Sequence, residues 1–217
     1  MSAFLNFVTG EWYFAVPMFL MSFVAIALIV WRILLNRDAK TDLNWFLPRF
    51  QQKLDAEGPD GALAFCRSSP GVIARKLYVS GLENRAQGTA AMRRGMASTI
   101  EYEILPDLNF LLAPILAIAK IATMVGLLGT VISMINTFSA ISAETTAGGV
   151  ASHSAEIGLA LFATAFGLVT AIPLVFSHVL FKDWIARYEL KMQSSVQKFL
   201  VLMQNLKTQR PVSAKVG

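Results

Sequence analysis

Hydroxyl-bearing residues recur inside two of the most apolar stretches of this chain. In Ile121–Ile141, the residues Thr130, Ser133 and Thr137 follow at steps of three and four. The stretch Glu156–Phe181 carries Thr164 near its centre. Steps of three and four keep side chains on one face of a helix. Hydroxyl groups donate and accept hydrogen bonds, so each of these faces can line a polar pathway.

Small residues share the two hydroxyl-bearing faces. The small residues that we expect to pack most closely are Gly126, Gly129 and Gly167. In a membrane, small residues let helix backbones approach and hydroxyl groups bond across the contact, so helix packing alone is one explanation of both faces. A pathway, or a socket for a polar group from another helix, is the other explanation.

Depth favours the second explanation. At 1.5 Å of rise per residue, Thr130 lies roughly 14 Å from the start of its stretch at Ile121, and Thr164 lies roughly 12 Å from Glu156. The hydrocarbon core is about 30 Å thick. Because the two stretches start on opposite sides of the membrane, both threonines are expected near its middle. We expect Ser133 and Thr137 to extend the same polar face.

Both stretches lack charged side chains in their interiors. No Asp, Glu, Lys or Arg occurs between Ile121 and Ile141 or between Ile157 and Phe181, where His178 is the one titratable residue. Threonine does not titrate near neutral pH, so this chain cannot by itself pass a proton through the midplane by protonation and release. Either a partner supplies a carboxylate, or water and hydroxyl groups carry the ion. Glu156 is a candidate for the outer mouth; a carboxylate stabilised by a helix N-terminus is the alternative explanation.

Composition places the chain among membrane proteins. It has 217 residues, of which 55% are hydrophobic, and the apolar residues occur in blocks. A membrane-spanning helix needs roughly 20 apolar residues. Three stretches are long enough: Trp12–Leu35, Ile121–Ile141 and Glu156–Phe181. The sequence therefore predicts an all-α polytopic membrane protein with three transmembrane helices.

Four segments follow from this pattern. Residues 1–35 form an N-terminus and the first span, and 36–107 a polar helical loop. Residues 108–181 hold the second and third spans, and 182–217 a helical extension and tail. Within the loop, Gly58–Gly61 and Ser68–Gly71 are expected to break the helices, and the last helix is expected to be broken or kinked near Pro106. Leu108–Ile118 is expected to begin the helix of the second span. The third span is expected to continue as one helix to about Leu206, because no Gly or Pro intervenes from Lys182 to Arg210.

Basic residues predict the orientation. The loop 36–107 holds ten Lys and Arg residues and the segment after Phe181 holds seven, whereas 1–11 and the link 142–154 hold none. Loops rich in Lys and Arg stay in the cytoplasm. The loop and the C-terminus are therefore expected inside, and the N-terminus and the link outside.

Two motifs resemble those of the MotA/TolQ/ExbB proton-channel family, nearest its TolQ/ExbB branch. They are GLLGTV at Gly126–Val131 and ATAFGLVTAIP at Ala163–Pro173. The three-span layout and the loop stretch Gly61–Leu77 support the resemblance, which covers nearly the whole chain. MotA is similar in the channel region but has four spans.

The resemblance implies a homo-oligomer, typically a pentamer, around the single membrane helices of an ExbD/TolR-like partner. The partner's membrane aspartate would meet Thr130 and Thr164. Proton passage in the bacterial inner membrane would then drive work on a TonB/TolA-like effector, and Pro173 would match the family's helix kink. The family's glutamate would align with Leu159, one turn from Glu156, and Ala122-Thr123 stands where the family often has proline. Both differences concern the ion's entry route.

No motif for enzymatic chemistry stands out. The sequence shows no metal-ligand spacing and no glycine-rich phosphate loop, so we expect neither an enzyme nor a cofactor. Two alternatives to a proton-driven machine remain open: a sodium-driven stator of the same family, and a structural membrane scaffold in which both faces only pack.

Overall fold

Long apolar runs without strand-like alternation form helices throughout the described chain. The computed structural model describes residues 12–38, 43–69, 71–143 and 150–213. A short 3₁₀ turn occupies Asn84–Gln87, and a π-helical turn occupies Ile100–Ile104. The α-helices are α1 (Trp12–Asp38), α2 (Leu43–Ser68), α3 (Val72–Glu83), α4 (Thr89–Thr99), α5 (Leu105–Asn109), α6 (Leu112–Ala143) and α7 (Val150–Ser213).

Three helices of the described residues are long and apolar enough to cross a membrane. They are α1, α6 and the first part of α7, which carry the three stretches found in the sequence. In the described part of the chain no strand occurs. The prediction of an all-α polytopic membrane protein is confirmed.

The first of two compact units contains the apolar helices, in 12–33 and 111–181. Its interior consists largely of small side chains. Alanines let the helix backbones approach closely. In lipid there is no hydrophobic driving force between helices, so this close packing holds them together instead. One buried cluster comprises Ala25, Ile115, Ala119, Ala122, Ala171 and Leu174.

The second unit, in 34–110 and 182–213, has an aromatic core instead. Phe46, Phe50, Tyr78 and Phe199 are each 0% exposed. Their ring centroids lie 4.9 to 6.2 Å apart. Aromatic rings at such distances attract beyond the area they bury. This core accounts for the apolar residues of the otherwise polar loop, such as Phe46 and Phe50.

Most predicted helix breaks in the loop occur. Gly58 adopts φ +73° and ψ −170° inside α2, so the helix bends at the Gly-Pro pair. Positive φ favours glycine because a Cβ atom would clash there. A second break separates α2, which ends at Ser68, from α3, which begins at Val72.

Near Pro106 the helix is irregular rather than broken: a π-helical turn occupies Ile100–Ile104, and the chain stays helical to Asn109. Pro106 lies two residues after this π-helical turn, and without an N–H it cannot donate to a carbonyl of the preceding turn. The chain turns at Phe110, with ψ 137°, and at Leu111, with φ +70°. Helix α6 therefore begins at Leu112, four residues after the predicted start at Leu108. Pro114 falls within its first turn, where proline is tolerated.

The third apolar helix is longer than predicted at both ends. It begins at Val150 rather than Glu156 and ends at Ser213 rather than near Leu206, as one helix of 64 residues. The uninterrupted helix through 182–206 is confirmed.

We predict that Cys66 is unreactive in the native protein. It is 0% exposed, and burial raises the pKa of its thiol to about 12, so the reactive thiolate is scarce. A maleimide added at mildly alkaline pH should label the protein only after denaturation, as measured by mass spectrometry. Fast, stoichiometric labelling of the native protein would contradict the burial.

Candidate functional site

Helices α6 and α7 cross at their glycines. A methyl carbon added at Gly167 would lie 2.8 Å from the carbonyl oxygen of Ala122 and 3.1 Å from the Cα of Gly126. One added at Gly126 would lie 3.2 Å from the carbonyl oxygen of Ala163. Both glycines therefore face the other helix backbone directly, with no space for a side chain between them.

Gly129 continues this contact one turn along α6. A methyl carbon there would lie 2.9 Å from the Cβ of Ala163. Gly126 and Gly129 thus lie opposite the segment 163–167 of α7. This pairing places Thr130, which follows Gly129, and Thr164, which follows Ala163, within about one helical turn of the same level.

Both threonine hydroxyls donate hydrogen bonds to main-chain carbonyls. The Thr164 Oγ1 donates across the crossing to the Gly126 carbonyl at 3.0 Å. The Thr130 Oγ1 donates within its own helix to the Leu127 carbonyl at 2.7 Å. Both side chains are half-buried, so each retains an open side.

The other two hydroxyls of the predicted pathway lie deeper inside the unit. Ser133 is 6% exposed and Thr137 is 1% exposed. The Thr137 hydroxyl donates to the Ser133 carbonyl at 3.0 Å. Thr130 and Thr164 therefore keep an open side at a similar level of the crossing, whereas Ser133 and Thr137 pack within the unit.

Helix α1 covers part of the crossing. Ala15, Met18 and Ala163 form one buried cluster, and the Met18 methyl lies 3.4 Å from the Cβ position of Gly167. The rings of Phe19 and Phe166 lie 5.0 Å apart between their centroids. The first span thus supports the glycine crossing, a role that its own sequence pattern did not reveal.

Two further predicted residues lie toward the ends of the third span. Helix α7 continues through Pro173, whose side chain is exposed. Proline leaves the carbonyl four residues earlier without its usual helical donor, and the kink stays a prediction. The side chain of Glu156 lies outside the described residues, as does that of Leu159, so the outer mouth also stays a prediction.

His178 makes a contact that the sequence pattern did not predict. Its Nδ1 lies 3.1 Å from the Leu112 carbonyl, in the first turn of α6. If Nδ1 carries the proton, it donates to this carbonyl and ties the two helices together at one end of the unit. In the sequence, His178 stands out as a lone polar residue in an apolar helix. Its partner is a main-chain carbonyl, however, and every residue has one, so the sequence could not indicate which carbonyl it contacts.

The described residues contain no group of three or more His, Cys, Asp or Glu residues that could hold a metal ion. The chemistry that the crossing offers is that of hydroxyl and carbonyl oxygens in an apolar setting. Such oxygens bind hydrogen-bond donors, water or a cation.

Three helices that are long and apolar enough to cross a membrane define a multi-pass membrane protein. The model of the MotA/TolQ/ExbB proton channel family matches residues 71–194, more than half of the chain. The chain belongs to this family.

A curated relative agrees with this assignment. The chain is 28% identical over 189 residues to a protein of Synechocystis sp. named "Putative biopolymer transport protein ExbB-like 3". The alignment covers 86% of this chain and 89% of the relative.

Proposed function

We propose that this protein is the ExbB/TolQ-like subunit of a motor in the bacterial inner membrane that is driven by the proton motive force. Several copies, a pentamer in our proposal, surround the single membrane helices of an ExbD/TolR-like partner. Ion flow between the subunits then drives work on a TonB/TolA-like effector. The protein is not an enzyme in this proposal.

One observation carries the proposal. Thr130 and Thr164 are half-buried and donate to the carbonyls of Leu127 and Gly126, on helices that contain no charged residue between Ile121 and Ile141 or between Ile157 and Phe181. A site that holds hydroxyl groups but no titratable group cannot bind and release a proton by itself. An aspartate on a partner's membrane helix supplies the missing titratable group.

The family assignment and the named relative support the same class of machine. Glu156 is proposed at the outer mouth, and the basic loop and C-terminus are proposed to face the cytoplasm.

The ion that drives the machine is tested in cells or vesicles that contain the complex. We expect a protonophore to abolish work on the effector and the removal of Na⁺ to leave it unchanged, because a carboxylate facing hydroxyls can bind and release a proton. Loss of work on Na⁺ removal, with resistance to the protonophore, would identify a sodium-driven stator instead.

The partner is tested by purification. The protein should copurify with a small single-span protein whose membrane helix contains an aspartate. A solitary oligomer with full activity would contradict the proposed mechanism, and a solitary oligomer without ion-dependent activity would favour the scaffold.

A further inference from the structure

Lys120 is the one charged residue in the sequence of α6. Its side chain is exposed, and it shares one side of the helix with four exposed apolar residues: Met124, Leu127, Val131 and Phe138. In the first unit, residues 12–33, 111–143 and 157–181 contain no Asp or Glu. These stretches therefore provide no carboxylate for the Lys120 ammonium group, and its anion has to come from elsewhere.

Packing against α1 places Lys120 within the apolar layer. Ala119 and Ala122, on either side of Lys120 in the sequence, belong to one buried cluster with Ala25 of α1. Trp31 follows Ala25 by six residues, roughly 9 Å along the helix. Tryptophan is enriched at the boundary between the apolar layer and the headgroups, and Trp31 is exposed. The Cα of Lys120 thus lies roughly 9 Å from that boundary, where a charged side chain without an anion is costly.

The Cα–Cβ bond of Lys120 is directed toward the same boundary. Near the end of α1, the Arg32 guanidinium carbon lies 6.0 Å from the centre of the Phe181 ring. One turn before Phe181, His178 contacts the carbonyl of Leu112, where α6 begins. The start of α6 and the Arg32 level of α1 therefore lie at one end of the unit. Because the Cα–Cβ bond of a helical residue tilts toward the helix N-terminus, Lys120 extends toward this end.

Small residues leave a path for the lysine stem. Ala117 and Ala113 lie one and two turns nearer the start of α6, on the side of Lys120, and both are exposed. A lysine side chain extends about 6 Å from its Cα, which covers most of the distance to the boundary. Long basic side chains place their stem along apolar surface and their charge among the headgroups.

The hydroxyl crossing is out of reach of this lysine. Thr130 lies ten residues farther along α6, roughly 15 Å away and in the direction opposite to the tilt of the side chain. An acidic group that faces Thr130 therefore cannot pair with Lys120. The phosphate groups of the lipids at the near boundary are the anions that the side chain can meet.

We propose that Lys120, with the path over Ala117 and Ala113, binds the phosphate of an anionic phospholipid in the leaflet next to the start of α6. The ammonium group donates hydrogen bonds to the phosphate oxygens, and the acyl chains cover the apolar face that begins at Met124. In the proposed orientation this is the cytoplasmic leaflet, whose surface is negatively charged. The inference goes beyond the proposed function, because it requires neither ion flow nor a partner protein.

The test is a titration of the purified full-length protein in detergent with phosphatidylglycerol, in which native mass spectrometry counts the lipids bound. Lys120→Met keeps an apolar stem and removes the charge, so the affinity should fall about fivefold, the usual effect of one cation near anionic lipid. Lys120→Arg should retain the affinity. Ala117→Leu keeps the charge but fills the path, so it should also weaken binding.

Two comparisons separate a phosphate site from general charge attraction. Lys198→Met removes an exposed lysine of the second unit and should leave the affinity unchanged. Phosphatidylcholine has the same phosphate but no net charge, so its binding should differ little between Lys120→Met and the unchanged protein. An equal loss of phosphatidylglycerol in Lys198→Met would mean general attraction and would overturn the site.

Unchanged phosphatidylglycerol binding in both Lys120→Met and Ala117→Leu would also overturn the inference. If Lys120→Met instead loses a copurifying protein while its lipid binding is unchanged, the anion is a carboxylate of that protein rather than a lipid phosphate. None of these results bears on the proposed function, which is tested through Thr130, Thr164 and the driving ion.

Discussion

Gly167→Ala is expected to destabilise the membrane unit by about 1–3 kcal/mol, the usual range for overpacking a close contact. The added methyl carbon would meet the Ala122 carbonyl oxygen at 2.8 Å and the Gly126 Cα at 3.1 Å. Both are backbone atoms of α6, so no side-chain rotation relieves the clash. The helices must separate, which also lengthens the Thr164–Gly126 hydrogen bond. The thermal unfolding midpoint of the protein in detergent measures the effect.

Gly158→Ala is the matched control on the same helix. A methyl carbon at Gly158 meets no atom within 4 Å in this structure. Alanine also favours helix over glycine by about 1 kcal/mol, so this variant should be as stable as the unchanged protein or more so. Equal stability of the Gly167 and Gly158 variants would contradict the close crossing of α6 and α7.

Thr130→Ala and Thr164→Ala are each expected to lower ion-driven activity about fivefold or more while the protein still assembles. Loss of one hydrogen bond at a rate-limiting step costs about 1 kcal/mol or more, and 1.36 kcal/mol corresponds to a factor of ten in rate. Proton uptake by vesicles that contain the complex measures the change. Thr164→Ser, which keeps the donor and the lone pairs, should retain most of the activity.

Thr170→Ala provides the comparison for these variants. Thr170 is 9% exposed and donates to the Phe166 carbonyl of its own helix, so its loss should leave proton uptake nearly unchanged. Full activity together with normal assembly in both Thr130→Ala and Thr164→Ala would refute a hydroxyl pathway. The scaffold would then be the better explanation of both helix faces.

Helix type and membrane class could be predicted because they depend on local pattern. The apolar runs of α1, α6 and α7 exceed the length that a bilayer requires, whatever the helices contact. Gly58 was predictable as a break for the same reason, since its positive φ is a property of glycine itself. The exact position of the break before α6 was not predictable, because Leu111 has φ +70° and leucine is not a residue type that indicates a positive φ.

The sequence by itself determined that two hydroxyl-bearing helices have no charged residue within their apolar stretches, and it predicts that their hydroxyls lie near the midplane. Their spacing and depth follow from residue order and from the rise of a helix. Only the tertiary structure decided which hydroxyls keep an open side and what each one donates to. Ser133 and Thr137 share the helix face of Thr130 but are buried, and Thr164 bonds to the Gly126 carbonyl. The physical reason is that burial and acceptor choice depend on how closely two backbones approach, and main-chain carbonyls are identical at every position of a sequence.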